Sequence, residues 1–255
     1  MNSPFLIDNN DFYIGGTQHI LVLLLSILLG IVVITYALKK MKPAEQYRLG
    51  LNMGLFIAFS EIGWMLLRLY LGVFNPAEDL PFVACHFMAL MLPVLMFGLN
   101  RLLYEILYFW ILGGTLQAIL TPHLVNGFPH YTFWMFWIVH CGLVIVILYA
   151  TIVYRIRPTV WSIWKAFLVM QVYIALSFIV NYALEANYNY VCYKPPTASI
   201  LDYLGPWPWY VIGTEGIVLC LFLIAYSPFW VLDKVRVIRN SSKSEEKQMW
   251  EVNQN

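Results

Sequence analysis

The sequence predicts an all-α polytopic membrane protein: a seven-helix transmembrane bundle with the N-terminus outside and the C-terminus inside. The first observation is composition, since the 255 residues are 61% hydrophobic and only 11% charged, whereas soluble domains carry about 25% charged residues. The second is a set of seven apolar runs near the roughly 20 residues that a spanning helix needs. The third is the placement of basic residues, which fits seven spans and not six or eight. A soluble enzyme, a nucleic-acid-binding protein and a disordered chain are therefore excluded.

The predicted spans follow one another along the chain with short connections. They are 17–38, 48–73, 80–99, 101–120, 131–154, 160–184 and 207–231. The first is not a cleavable signal peptide, because residues 1–16 contain no Lys or Arg. The third and fourth are separate helices divided at Asn100-Arg101, since one helix of about 40 residues exceeds any bilayer. The apolar runs are continuous rather than alternating, which excludes strands of a membrane barrel.

Basic residues determine the predicted orientation, because cytoplasmic connections carry excess Lys and Arg. Seven spans place all but two of the 15 basic residues on one side, and only Arg68 and Lys194 on the other. The predicted organisation is therefore an extracellular N-terminus (1–16), a transmembrane domain (17–231) and a cytoplasmic polar tail (232–255). The inner set is Lys39, Lys40, Lys42, Arg48, Arg101, Arg155, Arg157, Lys165, Lys234, Arg236, Arg239, Lys243 and Lys247.

The polar residues inside the predicted spans concentrate on the outer side. Ionisable groups within a membrane are costly and usually functional, so this distribution predicts one polar cavity that opens outward. Two simpler interpretations stay open: Glu61 and Arg68, seven residues apart on one helix face, neutralise each other or neighbouring helices, and Glu215 is a packed, protonated acid. The five histidines on this side are His19, His86, His123, His130 and His140.

The outer connection between the last two spans is long for a compact bundle. It is rich in Asn, Tyr, Trp and Pro, including Pro195, Pro196, Pro206 and Pro208. Long ordered loops are often functional, so we expect this one to act as a lid over the outward cavity.

Cys85 and His140 are the pair that favours nucleophilic chemistry, because a thiol becomes nucleophilic when a neighbouring base takes its proton. Helical rise places Cys85 about 7 Å below the outer end of its span and His140 about 13 Å below, an offset that helix tilt absorbs. His86 is turned about 100° from Cys85 and is a less natural base. This depth is that of glycerol esters beneath the headgroups. A metal site is disfavoured by the lack of paired ligand spacings, and a transporter by the lack of a repeat.

Several blocks of the sequence resemble one family of membrane proteins over about residues 17–230. The third-helix run Leu80–His86 is similar to its cysteine motif, although the histidine found before the cysteine is absent or displaced to His86. The other similar blocks are Thr121-Pro122-His123, Pro129–Trp134 with His140, Asn181-Tyr182, Asn187-Tyr188, Lys194-Pro195 and Gly205–Trp209. These motifs resemble those of the bacterial YwaF family and the related transmembrane protein 164 family.

The resemblance implies an acyltransferase of phospholipid metabolism that moves a fatty acyl chain between a phospholipid and a lysophospholipid. It implies a Cys–His pair, with Cys85 as nucleophile and His140 as base, no coenzyme A and no other cofactor. The expected location is a bacterial plasma membrane, with the site facing outside and no nucleic-acid partner. A lipid hydrolase, and a non-enzymatic transporter or lipid-binding protein with Glu61, Arg68 and Glu215 along a path, remain alternatives. Residues expected to bind substrate or the oxyanion are Arg68, His86, His130, Asn181 and Tyr188.

Overall fold

A computed structural model describes residues 4–195 and 199–252, so Pro196 and the outermost residues of both predicted terminal segments lie outside the described residues. Seven helices form the described part of the chain, with short 3₁₀ turns at Tyr188–Tyr190 and Ile200–Leu204 in the last connection. The helices are α1 (Thr17–Lys40), α2 (Pro43–Leu71), α3 (Ala84–Gly98), α4 (Arg101–Leu120), α5 (Tyr131–Ile152), α6 (Val160–Leu184) and α7 (Trp209–Val252).

The predicted polytopic helical bundle is confirmed. Six of the described helices are long and apolar enough to cross a membrane, and α3 is a shorter apolar helix of 15 residues. At about 1.5 Å per residue α3 is about 22 Å long, less than the roughly 30 Å of a bilayer core. The apolar part of α7 ends near Val235, but the helix continues to Val252 through the segment predicted as a polar tail.

The centre of the bundle is formed by α4 and α5. Within their apolar windows 61% and 50% of residues are buried, against 6% in α1 and in α7, so the first and last helices expose most of their apolar surface. The main core packs residues of α3, α4 and α5 together, including Leu92, Phe109 and Leu143. More of the side chains on α4 and α5 are therefore buried among other helices than on α1 and α7.

Small residues bring α2 close to both α3 and α5. A Cβ atom on Gly54 would lie 3.3 Å from the backbone oxygen of Leu92, and one on Gly142 would overlap the side chain of Ile57. Without a strong hydrophobic force between helices in lipid, such close packing stabilises helix association. As a result, residues of α2 beyond Ile57 lie beside the start of α3 and the middle of α5.

A buried carboxylate links α4 to α6 at the end of the bundle that carries most basic residues. Glu105 is 1% exposed and accepts hydrogen bonds from Lys165 at 2.7 Å and from Arg101 at 3.2 Å. Two of the basic residues counted in the orientation argument thus also neutralise an acidic group inside the bundle.

The N-terminal segment is folded across the connection between α4 and α5. Phe12 is buried, and its N–H donates to the carbonyl of Val125 at 3.1 Å. Asn9 accepts from the N–H of Gly127 at 2.8 Å, and the N–H of Tyr131 donates to the carbonyl of Phe5 at 3.0 Å. This segment covers the end of the bundle at which α5 begins.

Candidate functional site

The helix that carries the predicted nucleophile begins later than the hydropathy pattern predicts. The predicted span starts at residue 80, but α3 starts at Ala84, so Cys85 is the second residue of the helix and does not lie one turn inside it. The correction has a local cause: the carbonyl of Phe82 accepts from Tyr173 Oη at 2.8 Å and from Asn189 Nδ2 at 2.9 Å. These bonds hold residues 80–83 out of the helix.

Asn189 caps α3 from another part of the chain. The helix has Val83 at its N-cap position, which supplies no side-chain acceptor, and Asn189 Oδ1 accepts from the N–H of Ala84 at 3.0 Å instead. Among the described residues, the N–H groups of Cys85 and His86 have no hydrogen-bond acceptor. Unsatisfied N–H groups at a helix N-terminus attract negative charge, so this end of α3 favours an anion next to the thiol.

The loop that supplies Asn189 is itself stabilised by this contact, which gives a testable expectation. Asn189 has a positive φ of 58°, which glycine adopts readily, so Asn189→Gly removes the side chain without adding backbone strain. Losing the cap and its partners is expected to lower the free energy of unfolding by about 1–2 kcal/mol, measured by denaturant unfolding of the purified protein. Asn10→Gly is the matched control, since Asn10 is exposed and has a φ of 50°. Equal stability of the two variants would contradict the role of Asn189.

Cys85 contacts a hydroxyl that the sequence analysis did not single out. Its sulfur lies 3.6 Å from Thr115 Oγ1, and Thr115 is completely buried. Thr115 ends a π-helical turn, Ile111–Thr115, inside α4, and such turns recur at functional sites. The sequence signal for this turn is the pair Gly113-Gly114 within an apolar helix, where the ring of Phe222 packs against Gly113.

Glu61 pairs with His86 rather than with Arg68. His86 Nδ1 lies 2.5 Å from Glu61 Oε1, and Glu61 is 1% exposed. Glu61 and Arg68 do not neutralise each other, because Arg68 forms its ion pair with Asp79 at 2.7 Å and donates to the carbonyl of Val73. The other form of that interpretation, a contact with a neighbouring helix, holds for Glu61, which pairs with His86 of α3. The seven-residue spacing indicated a shared face of α2, but the loop after α2 folds back over Arg68 and supplies its partner.

One oxygen of this buried carboxylate has no partner. Glu61 Oε2 is inaccessible and makes no hydrogen bond within the described part of the chain. Buried polar atoms are nearly always satisfied, so Glu61 Oε2 is an available acceptor in the interior of the site.

His140 uses one ring nitrogen, Nδ1, in a hydrogen bond within its own helix, which decides where the lone pair of the ring lies. Its Nδ1 lies 2.8 Å from the carbonyl of Phe136, and its ring stacks on that of Phe136 with centroids 4.1 Å apart. A carbonyl only accepts, so Nδ1 carries the proton and the lone pair of the neutral ring is on Nε2. A backbone contact of this kind is what sets the tautomer of a histidine base.

Polar groups of α2, α3 and α4 therefore meet at the start of α3. Cys85 contacts Thr115, His86 contacts Glu61, and Tyr173 holds the carbonyl of Phe82 just before the helix. Cys85 and His86 were predicted site residues. His140, the predicted base, contacts Phe136 of its own helix, so its approach to Cys85 stays a prediction.

His130 lies apart from this cluster. It is the N-cap of α5, where Nδ1 accepts from the N–H of Thr132, and it is buried beside Asp8. Ten helical residues separate it from His140, about 15 Å along the axis. Burial lowers the pKa of His130, opposed by the nearby carboxylate of Asp8. These contacts give His130 a role in joining the N-terminal segment to α5.

Asn181 and Tyr188 hold the last connection in place. Asn181 Oδ1 accepts from the N–H of Tyr188 at 2.7 Å, and its Nδ2 donates to the carbonyl of Tyr188 at 3.1 Å. Tyr188 Oη donates to the carbonyl of Pro76 at 2.6 Å and accepts from the N–H of Leu80. The loop predicted as a lid thus packs through Tyr188 on the segment that leads into α3. The polar atoms of Asn181 and Tyr188 are already engaged in these bonds.

Other polar groups of the spans have separate partners. The amide nitrogen of Gln171, in the orientation that satisfies both groups, donates to Glu215 Oε1 at 3.1 Å and Oε2 at 3.3 Å. In residues 4–195 and 199–252 no group of three or more His, Cys, Asp or Glu side chains is placed to hold a metal ion.

Comparison with known proteins identifies one family. A sequence model of the TMEM164 family matches residues 13–226, which include all seven helices up to Tyr226 of α7 and the whole cluster around Cys85. Searches of curated proteins and of solved structures give no match.

Proposed function

This chain belongs to the TMEM164 family, and from that premise we propose that it is a membrane-embedded acyltransferase. It moves a fatty acyl chain from a phospholipid to a lysophospholipid through a thioester on Cys85, without coenzyme A. The observation that carries the proposal is the position of Cys85: a thiol in the first turn of α3, in contact with Thr115 and followed directly by the histidine of a carboxylate–imidazole pair. Cys85 packs at the edge of the main apolar core, and its sulfur also contacts the hydroxyl of Thr115, a polar contact that a purely structural cysteine does not need.

In the donor half-reaction His140 Nε2 takes the proton of the Cys85 thiol. The sulfur attacks the ester carbonyl of the donor phospholipid, and the carbon–oxygen bond to the glycerol breaks. The departing glycerol alkoxide takes the proton from His140 and leaves as lysophospholipid. This returns His140 to its neutral form. The bond from His140 Nδ1 to the carbonyl of Phe136 supports this assignment, since it keeps Nε2 available as a base.

The oxyanion of the tetrahedral intermediate is assigned to backbone donors. The N–H groups of Cys85 and His86 are free at the start of α3 and close to the reacting sulfur by covalent geometry. Removing one oxyanion donor typically costs about 10²–10³-fold in rate, so such groups carry a large share of catalysis. Asn181, Tyr188 and His130 were expected to help here, but their polar atoms already bond to neighbouring backbone or side chains.

The proposed setting is a bacterial plasma membrane with the site at the depth of the outer leaflet. The support is the separation of charge along the bundle: Cys85 lies at the start of α3, whereas Arg101 and Lys165, on the basic side, bind Glu105. With basic connections facing the cytoplasm, the start of α3 faces outward, where phospholipid and lysophospholipid esters are within reach.

Transport is less well supported, because three intramembrane charges are paired in separate local contacts. Glu61 bonds His86, Arg68 bonds Asp79, and Glu215 bonds Gln171. A transport path needs polar groups that continue from one side to the other. These three contacts each end locally.

The direct test uses the full-length purified protein in lipid nanodiscs. A phosphatidylcholine labelled in its sn-2 acyl chain and an unlabelled lysophosphatidylethanolamine are supplied without coenzyme A. We expect labelled phosphatidylethanolamine in proportion to enzyme, together with labelled free fatty acid if water competes for the thioester. If neither product forms above the rate of empty nanodiscs, the proposal fails. Free fatty acid as the sole product would make the protein a lipid hydrolase.

A further inference from the structure

The Glu61–His86 pair makes contacts that the donor half-reaction does not use. His86 follows Cys85 directly in α3, and its side chain is 30% exposed, whereas Glu61 is 1% exposed and His140 is 8% exposed. A carboxylate oxygen accepts, so His86 Nδ1 donates to Glu61 and the lone pair of the neutral ring is on Nε2. His86 is thus an oriented base that a molecule arriving from outside the bundle can reach.

The geometry pairs the carboxylate with His86 and not with the thiol. Glu61 Oε1 contacts His86 Nδ1, whereas the Cys85 sulfur contacts Thr115. The donor half-reaction already has its proposed base in His140, so the Glu61–His86 pair is left for the step that begins from the thioester.

The unpartnered oxygen of Glu61 points to a ligand with a donor group. Glu61 Oε2 is buried and makes no bond to any described residue, and a buried carboxylate oxygen left without a donor is costly. A hydroxyl group that approaches His86 would satisfy this oxygen or give its proton to the ring. The acyl acceptor of the proposed reaction, a lysophospholipid, carries such a hydroxyl.

Building on the proposed function, we propose that Glu61 and His86 form a second acid–base site that binds and activates the hydroxyl of the acyl acceptor. The acceptor proton passes to His86 Nε2, and its oxygen bonds to the thioester carbonyl carbon. The carbon–sulfur bond breaks, and the sulfur takes the proton from His86 to regenerate the Cys85 thiol. His86 is the catalytic residue of this step, and Glu61 is a positioning residue that orients its ring through Nδ1.

The experiment separates formation of the acyl-enzyme from its use. Full-length protein is incubated with phosphatidylcholine carrying a labelled sn-2 acyl chain, and the protein-bound label is measured before and after a chase with lysophosphatidylethanolamine. For Glu61→Gln and His86→Gln we expect labelling within about threefold of wild type, but a chase at least about 100-fold slower, the lower range for general-base catalysis. A parallel chase with hydroxylamine, which needs no base, is expected to release the label equally from all proteins.

Glu215→Gln is the matched control, since it neutralises another intramembrane carboxylate, one that bonds Gln171, and its labelling and chase are expected to match wild type. The inference is overturned if Glu61→Gln and His86→Gln chase at the wild-type rate, or if both lose labelling while remaining folded by thermal unfolding. If Glu61→Gln does not fold, His86→Gln carries the comparison, because its side chain is partly exposed. Wild-type protein that never acquires label contradicts the proposed function itself.

Discussion

Replacing Cys85 with alanine is expected to abolish acyl transfer and the protein-bound acyl label, with a residual rate at least about 10⁴-fold below wild type. The sulfur is the atom that carries the acyl group, so its loss removes the covalent route and leaves only binding and oxyanion stabilisation. Transfer is measured in nanodiscs with labelled phosphatidylcholine. A chloroacetamide probe is expected to alkylate the wild-type protein at Cys85 and to protect against acylation.

One other cysteine and a serine variant of Cys85 provide the controls for this prediction. Cys220 is exposed on α7, so Cys220→Ala is expected to keep wild-type transfer and labelling. Cys85→Ser distinguishes a thioester from an ester, because any acyl group held by serine resists hydroxylamine under conditions that release a thioester. Full transfer by Cys85→Ala, with Cys220→Ala unchanged, would show that the reaction does not pass through this thiol.

Replacing His140 with glutamine is expected to slow formation of the acyl-enzyme by about 10²–10⁴-fold, the usual contribution of general acid–base catalysis. Glutamine can still hydrogen-bond within the space of the ring, but it cannot take the proton of Cys85. Single-turnover labelling by a donor phospholipid measures this step alone, so a slow acceptor step does not obscure the result.

His19 provides the matched control for His140. It is also a buried histidine, but its ring bonds the carbonyl of Ile119 and the N–H of Gly15, contacts that hold the N-terminal segment. His19→Gln is expected to label at the wild-type rate, with any effect limited to thermal stability. Equal labelling rates for His140→Gln and wild type would rule out His140 as the base of the donor half-reaction.

The candidate site was only partly predictable from the sequence. Cys85 and His140 stood out because polar residues are rare in this chain and because family motifs surround them. The pairing of Glu61 with His86 could not be predicted, since the spacing along α2 suggested Arg68 as the partner of Glu61. Arg68 pairs with Asp79 instead, and Asp79 lies on a loop whose path cannot be predicted from hydropathy. Thr115 was missed because a threonine in an apolar helix carries no signal until a π-helical turn directs it at Cys85.

The start of α3 shows the same limit at the level of secondary structure. Residues 80–83 are apolar enough to extend the helix, and hydropathy alone placed them within the span. Asn189 and Tyr173, about 90 to 105 residues away in the chain, bind the Phe82 carbonyl and the Ala84 N–H instead. A hydrogen bond from a distant loop thus decides where the helix begins, and with it the exposure of the N–H groups beside Cys85.

The sequence by itself indicated that the chain is surrounded by a lipid bilayer, and it gave the number of apolar segments, because insertion of a helix into hydrocarbon depends on local composition and length. It also predicted the end of the bundle at which polar residues gather. Only the tertiary structure decided which polar groups meet. That outcome depends on helix rotation and separation, which the close contacts at Gly54 and Gly142 set by letting α2 approach α3 and α5. Because only 11% of the residues are charged, each pairing of polar side chains changes the chemistry of the site. None of these pairings can be predicted from hydropathy.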